Sequence, residues 1–276
     1  MKLPDNISQQ VTLALQEDIG NGDVTADLID AISESSAQVI CRDNATISGI
    51  AWFNEVFSQI DPSVKIQWNY RDADDVEAGK QLCTLTGNAR AILSGERAAL
   101  NFLQTLSATA TLTKQFVEEV KGTNAGILDT RKTIPNLRNA QKYAVLCGGG
   151  RNHRIGLYDM ILIKENHIMA AGNITKAVSQ AKQLHSQIKI EVEAENLQEF
   201  REASEAGADI VMLDNFDLKT MREAVLENKG KVILEASGGV NIKTVKAIAE
   251  TGVDFISVGQ ITKDITAIDL SMRFDK

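Results

Sequence analysis

Cysteine is scarce. Cys41, Cys83 and Cys147 stand far apart with no C-x-x-C pair, which argues against a disulfide framework and a cysteine zinc site and points to a reducing cytosol. There are three histidines, and none stands at metal-ligand spacing from His153, so zinc is not expected. Three prolines and 5% aromatic residues argue against an aromatic-rich binding module. No apolar run approaches the roughly 18 residues of a membrane span. The start, MKLPDNISQQ, lacks the apolar stretch of a signal peptide. Positive charge is also in deficit, with 29 Lys+Arg against 37 Asp+Glu and a net charge of −8. That balance gives no support to a broad nucleic-acid-binding face.

What is present reads as a soluble, well-cored α/β protein of 276 residues, 43% hydrophobic and 24% charged. Its length suggests one large domain or two ordinary ones. The first hundred residues mix short strands (37–42, 64–70, 82–86) with helices (7–18, 52–60), an α+β sandwich pattern. Residues 88–120 carry helical spacing that predicts two helices broken near Ser107–Thr109. From Gly126 the texture changes. Six short apolar runs, at 126–128, 160–163, 188–192, 210–213, 232–234 and 255–258, alternate with helical patterns. This is the signature of a parallel sheet with right-handed crossovers. A polar or glycine residue follows every run, which favours a βα barrel over an open doubly wound sheet. Six strands where a full barrel has eight imply an incomplete barrel, or strands that the pattern misses.

Charge is unevenly spread. Between Leu128 and His167 lie seven basic residues (Arg131, Lys132, Arg138, Lys142, Arg151, Arg154, Lys164) against three acidic ones, a local +4 in an acidic chain. Such a segment suits a small polyanion, because arginine offers forked donors to carboxylate and phosphate; the plain alternative is a solvated basic face. The Cys147-Gly-Gly-Gly-Arg151 run could bring backbone N–H groups close to an anion or merely form a flexible loop. Glu193 and Asp214 each end a predicted strand. They suit Mg2+ or ribose hydroxyls, or else cap the next helices. Glu191 and Glu195 alternate with Glu193, so the choice among them depends on register. Ser237-Gly238-Gly239 and Val258-Gly259-Gln260 are late loops of the kind that cradle phosphate, or else glycine turns that merely connect elements.

Three runs resemble quinolinate phosphoribosyltransferases: Leu128-Asp-Thr-Arg-Lys-Thr-Ile-Pro-Asn-Leu-Arg138, Gly148-Gly-Gly-Arg-Asn-His-Arg154 and Asp159-Met-Ile-Leu-Ile-Lys164-Glu-Asn-His167. The likeness extends through Glu17–Asp23, Gly95–Asn101, Glu191–Glu193, Leu213–Asn215, Glu235–Gly239 and Ser257–Gly259. It implies a type II phosphoribosyltransferase-like architecture. An N-terminal α/β sandwich would span residues 1–107, a βα barrel catalytic domain 108–265, and a tail, 266–276, would pack back on the sandwich. It also implies transfer of the phosphoribosyl group of 5-phosphoribosyl 1-diphosphate to quinolinate with decarboxylation, a step of NAD synthesis, in the cytoplasm. Lys132, Glu193 and Asp214 match catalytic positions. Arg97, Thr130, Arg131, Lys132, His153, Arg154 and Lys164 match substrate-binding positions, with Ser237, Gly238, Gly239, Val258, Gly259 and Gln260 around phosphate. Glu193 and Asp214 would sit near Mg2+, directly or indirectly. The family is dimeric or dimer-based, and Arg97 would reach the neighbour's site. The rival readings are a paralogue with another acceptor and a phosphate-binding barrel without this activity.

Overall fold

The computed structural model describes residues 1–275, which divide into two compact units. One comprises Met1–Lys114, Thr133–Gly149 and Ile261 onward; the other comprises Gln115–Lys132 and Gly150–Gln260. No helix among the described residues is long and apolar enough to cross a membrane.

The first unit opens with α1 (Ile7–Ile19), β1 (Glu34–Cys41), the two-residue β2 (Ala45–Thr46) and α2 (Ile50–Ile60). It continues with β3 (Lys65–Trp68), β4 (Asp75–Val76) and β5 (Gln81–Asn88). Alternation does the work in β1, where Ala37, Val39 and Cys41 are buried and their neighbours are not. Helix α2 buries Trp52, Phe53, Val56 and Phe57, one stripe at helical spacing, and Phe53 meets Trp68 edge-on at 5.0 Å between centroids. Its first amides, on Gly49 and Ile50, donate to the Asp72 carboxylate at 3.0 and 3.2 Å, which satisfies donors the helix leaves open.

α3 (Ala89–Glu119) is one continuous helix, not the two predicted, and the boundary between the units falls within it. Hydroxyls one turn further on bond back to the carbonyls of the predicted break, and the Ser107 hydroxyl itself bonds to the Ser48 backbone. Thr111 donates to the Ser107 carbonyl and Thr113 to the Thr109 carbonyl, both at 2.7 Å.

In the second unit come β6 (Gly126–Leu128), and in the first α4 (Arg138–Cys147). The second unit resumes with β7 (Ile161–Ile163), α5 (Glu165–Ala171), α6 (Ile174–Leu184), β8 (Ile190–Ala194) and α7 (Leu197–Ala206). Then follow β9 (Ile210–Asp214), α8 (Leu218–Asn228), β10 (Ile233–Ser237), α9 (Val245–Ala249), β11 (Phe255–Ser257) and, across the boundary, α10 (Gln260–Lys263). Back in the first unit, β12 (Leu270–Phe274) pairs antiparallel with β1 and completes a sheet of order β12-β1-β5-β3. The helix predicted over 242–251 is α-helical only at Val245–Ala249, because the Asn241 side chain takes the Lys243 amide into a turn.

The second unit's sheet is parallel throughout, in the order β6-β11-β10-β9-β8-β7. Six strands are therefore present among the described residues, and β6 and β7 are its two edges: the barrel is incomplete, as the sequence predicts. The central strands β8, β9 and β10 are buried on both faces, as strands covered by crossover helices must be. The sheet is curled. Glu191 of β8 and Glu235 of β10 have β9 between them, yet both carboxylates reach one histidine. Side chains of alternate strands meeting in one layer is the arrangement of a barrel interior.

Candidate active site

Most predicted site residues of the second unit fall at the carboxyl ends of its strands, and His153 and Arg154 follow the isolated bridge of Arg151 to β6. Thr130, Arg131 and Lys132 follow β6, Lys164 follows β7, Glu193 lies near the end of β8, Asp214 ends β9, Ser237 ends β10, and Val258 and Gly259 follow β11. This is the end at which βα barrels do chemistry. A cavity of about 340 Å3 lined by Asp209, Lys231 and Asp254 lies at the opposite end, where the strands begin.

Register and caps settle the carboxylates. The N-caps of α7 and α8 are Asn196, accepting from the Glu199 amide at 3.0 Å, and Asp217, accepting from Thr220 at 2.8 Å. Each lies three residues past the carboxylate in question, so Glu193 and Asp214 are not caps and remain at the strand ends. Glu193 is 16% exposed and receives an ammonium hydrogen bond from Lys164. Asp214 accepts from the Asn215 side-chain amide at 2.7 Å. Lys164 is held in turn at its backbone, where its N–H donates to Nδ1 of His167 at 3.0 Å.

Below this row lies a buried cluster. His153 Nε2 is 2.8 Å from a Glu191 oxygen and 3.5 Å from a Glu235 oxygen, and the two glutamates are 0% and 1% exposed. The other oxygen of each is buried with no hydrogen-bond partner among the described residues. Burial pushes the Glu191 carboxyl up to about 7, against the charges of Arg154 and Lys164. Burial, then the charge of Glu191, pushes Glu235 up to about 8, with His153 opposing. Buried Asp129 fixes the backbone that carries the imidazole, accepting from the His153 amide at 2.9 Å and the Asn152 side chain at 2.6 Å.

Arg154 is partly buried. Its Nη1 donates to the Met160 carbonyl at 3.3 Å, while its Nε is buried with no acceptor among the described residues. Burial, and then the nearby charge of Arg131, draw its guanidinium below the usual arginine value. Two guanidiniums this close, one with an unsatisfied buried donor, make a receptor for a bound anion. Lys132 is exposed and its stem runs against Gly259, where a Cβ would lie 3.2 Å from Lys132 Cδ. Gly238 and Gly239 both have positive φ, +96° and +60°, a left-handed backbone that glycine reaches without strain.

Some readings of the basic segment change. Arg151 is not at the site; its guanidinium lies over the Phe255 ring, 5.5 Å from the centroid, where β11 begins. Arg138 and Lys142 belong to the first unit. In the glycine run, Gly148 is needed for packing: a Cβ there would come within 2.4 Å of the Ala110 carbonyl oxygen. Arg97 lies on α3 in the first unit, its side chain 60% exposed, with its neighbour Glu96 as ion partner at 3.9 Å. Asp129, Glu235 and Asn215 were not among the predicted site residues, and Glu191 was weighed only as a register alternative to Glu193. The available signal was a charged side chain inside or just past an otherwise apolar parallel strand, which is costly unless it is used.

A curled parallel βα sheet that gathers guanidiniums, ammonium groups and carboxylates at its carboxyl end has the make-up of a barrel enzyme for anionic substrates. The chain belongs to the quinolinate phosphoribosyltransferase family, whose N-terminal domain matches residues 23–107 and whose C-terminal domain matches residues 109–273. It is 41% identical to the probable nicotinate-nucleotide pyrophosphorylase [carboxylating] of Bacillus subtilis, over 93% of this chain and 89% of that protein. It is 40% identical to quinolinate phosphoribosyltransferase [decarboxylating] 2 of Nicotiana glauca, over 98% of this chain and 82% of the other. The structure of the nicotinate-nucleotide pyrophosphorylase from Francisella tularensis superposes with a TM-score of 0.97 at 50% identity, covering 99% of this chain and 98% of that one.

Proposed function

We propose that the protein transfers the phosphoribosyl group of 5-phosphoribosyl 1-diphosphate to quinolinate, releasing pyrophosphate and CO2 and forming nicotinate mononucleotide. The observation that carries this reading is the gathering of Arg131, Lys132 and Lys164 with the Glu193 and Asp214 carboxylates at the carboxyl ends of one sheet's strands, with Lys164 bonded to Glu193. Quinolinate's two carboxylates fit the guanidiniums and imidazole. The sugar and its phosphates fit the carboxylate row and the turns at Ser237–Gly239 and Val258–Gln260.

In this reading Arg131, Arg154 and His153 orient the pyridine so that its nitrogen faces the anomeric carbon, which lowers the entropic part of the barrier. The bond from that carbon to diphosphate breaks as the bond to nitrogen forms. Positive charge developing on the ribose is stabilised by Glu193 and Asp214, fixed in place by Lys164 and Asn215. Lys132, running alongside Gly259, meets the departing diphosphate. The carboxylate beside the now cationic ring nitrogen then leaves as CO2, its electron pair passes to the ring carbon, and that carbon takes a proton. Glu193 and Asp214 are hard oxygen donors at the mouth of the site and fit Mg2+, held directly or through water. When bound, the ion supplies neutralising charge to the diphosphate.

The test is direct. Purified protein with quinolinate, 5-phosphoribosyl 1-diphosphate and Mg2+ is expected to form nicotinate mononucleotide and pyrophosphate in equal amounts. No nucleotide from quinolinate would sink the assignment and favour a paralogue with another acceptor. The three buried free thiols fit a reducing cytoplasmic setting. We also read the working form as a dimer in which Arg97 serves the neighbouring site. Mixing Arg97→Ala with Lys132→Ala subunits should then restore part of the activity that each lacks alone, and activity no higher than the separate variants would remove the shared site.

A further inference from the structure

Asn215 stands one residue beyond β9 with a φ of +56°, a left-handed conformation that asparagine tolerates better than most residues. It is exposed, so packing does not select its side chain. Three interactions meet on it. Its backbone N–H donates to the Ser237 carbonyl at 2.9 Å. Its Nδ2 donates to Asp214 Oδ2 at 2.7 Å. Its side-chain carbonyl lies over Gly238, where a Cβ would fall 2.1 Å from Oδ1 and 2.7 Å from Cγ. One residue thus ties the carboxylate that ends β9 to the positive-φ turn that follows β10. Glycine would satisfy the backbone here at least as well. The amide adds what glycine cannot, a donor to the Asp214 carboxylate and a wall against the turn.

Resting on the activity proposed above, we infer that Asn215 is a positioning residue for the phosphoribosyl donor: its amide orients Asp214, and its seat on Gly238 sets the Ser237–Gly239 turn. It acts through those groups and is not itself assigned a contact with the donor. The aromatic diacid is bound by other residues, Arg131, His153 and Arg154, so a defect at Asn215 should fall on one substrate and spare the other. That asymmetry separates positioning from general support of the fold.

The experiment compares Asn215→Asp and Asn215→Gly with wild type, using steady-state kinetics for each substrate, calorimetric binding of 5-phosphoribosyl 1-diphosphate with Mg2+, and thermal unfolding. Aspartate keeps the size and the tolerance of left-handed backbone but replaces the donor by a second negative charge beside Asp214. It should raise both KM and Kd for the donor at least tenfold, leave KM for quinolinate within twofold, and leave Tm close to wild type. Glycine keeps the backbone and loses only the amide, and should raise the same two constants several-fold. Wild-type donor constants in both variants would overturn the inference, as would equal loss of affinity for both substrates with a lowered Tm. Wild type that binds the donor yet makes no nucleotide from quinolinate would fail the activity reading alone, and the variants' donor Kd would still decide the role of Asn215. Wild type that does not bind the donor would overturn both.

Discussion

Replacing Lys132 by alanine is expected to lower kcat/KM roughly a hundred- to a thousandfold, the scale lost when a preorganised charge is removed from a developing anion. Tm should stay within about 2 °C, because substitutions at exposed positions cost little. Two features argue for so uneven an outcome. The backbone of Lys132 is held without its side chain, since its N–H donates to Thr130 Oγ1 at 3.0 Å, and alanine retains that bond. The side chain, by contrast, runs along Gly259 in the loop after β11, where bulk on the loop would displace it. Lys132→Arg should recover only part of the loss, because the wider guanidinium must pass the same point and offers a fork in place of a compact ammonium. Near wild-type kcat/KM in Lys132→Ala would remove Lys132 from the reaction.

The second large effect concerns Glu235. In the folded protein its carboxyl is pushed up to about 8 by burial and by Glu191, whereas in the unfolded chain it titrates near its ordinary value of 4.5. Between those values the native state holds a proton that the unfolded state has lost, so stability falls as pH rises. Wild-type Tm is therefore expected to decline between about pH 5 and pH 8. Glu235→Gln, which keeps the shape and cannot ionise, should flatten that decline and match or exceed wild type near pH 8. Measuring Tm for both proteins across that range settles the matter; parallel curves would mean that Glu235 keeps its ordinary pKa. A flattened curve in the variant would leave Glu235 neutral beside His153 near pH 7, where it shapes the imidazole through hydrogen bonding more than through charge.

How much of this was legible beforehand varies with the kind of signal. The parallel strands were readable because apolar runs ending in a polar residue or glycine at a regular period are a local pattern, and each observed strand overlaps its predicted run with ends no more than three residues away. The positions of Glu193 and Asp214 followed from the same pattern, and Asn196 and Asp217 then removed the capping alternative. The single long α3 was not readable, since Ser107 and Thr109 are weak helix formers by local propensity, while burial of both in the fold keeps the helix continuous. The meeting of Glu191 and Glu235 over His153 depends on sheet curvature, a property of strands 44 residues apart in the chain, which no local window contains. Gly148 and Gly238 look alike in sequence, yet one is required by a neighbouring helix and the other by an asparagine side chain.

The unclosed sheet bears on mechanics as well as on shape. One edge carries groups proposed to hold the pyridine: Arg131 lies just past β6, and Arg154 just past the single bridge from Arg151 to β6. The carboxylates and the diglycine turn sit on β8, β9 and β10, each hydrogen-bonded on both sides. Edge strands open more readily than central ones. The sugar end of the site is thereby built on the stiff middle of the sheet and the ring end on its margin. Occupancy by the diacid should therefore slow amide exchange first along β6, before the central strands respond.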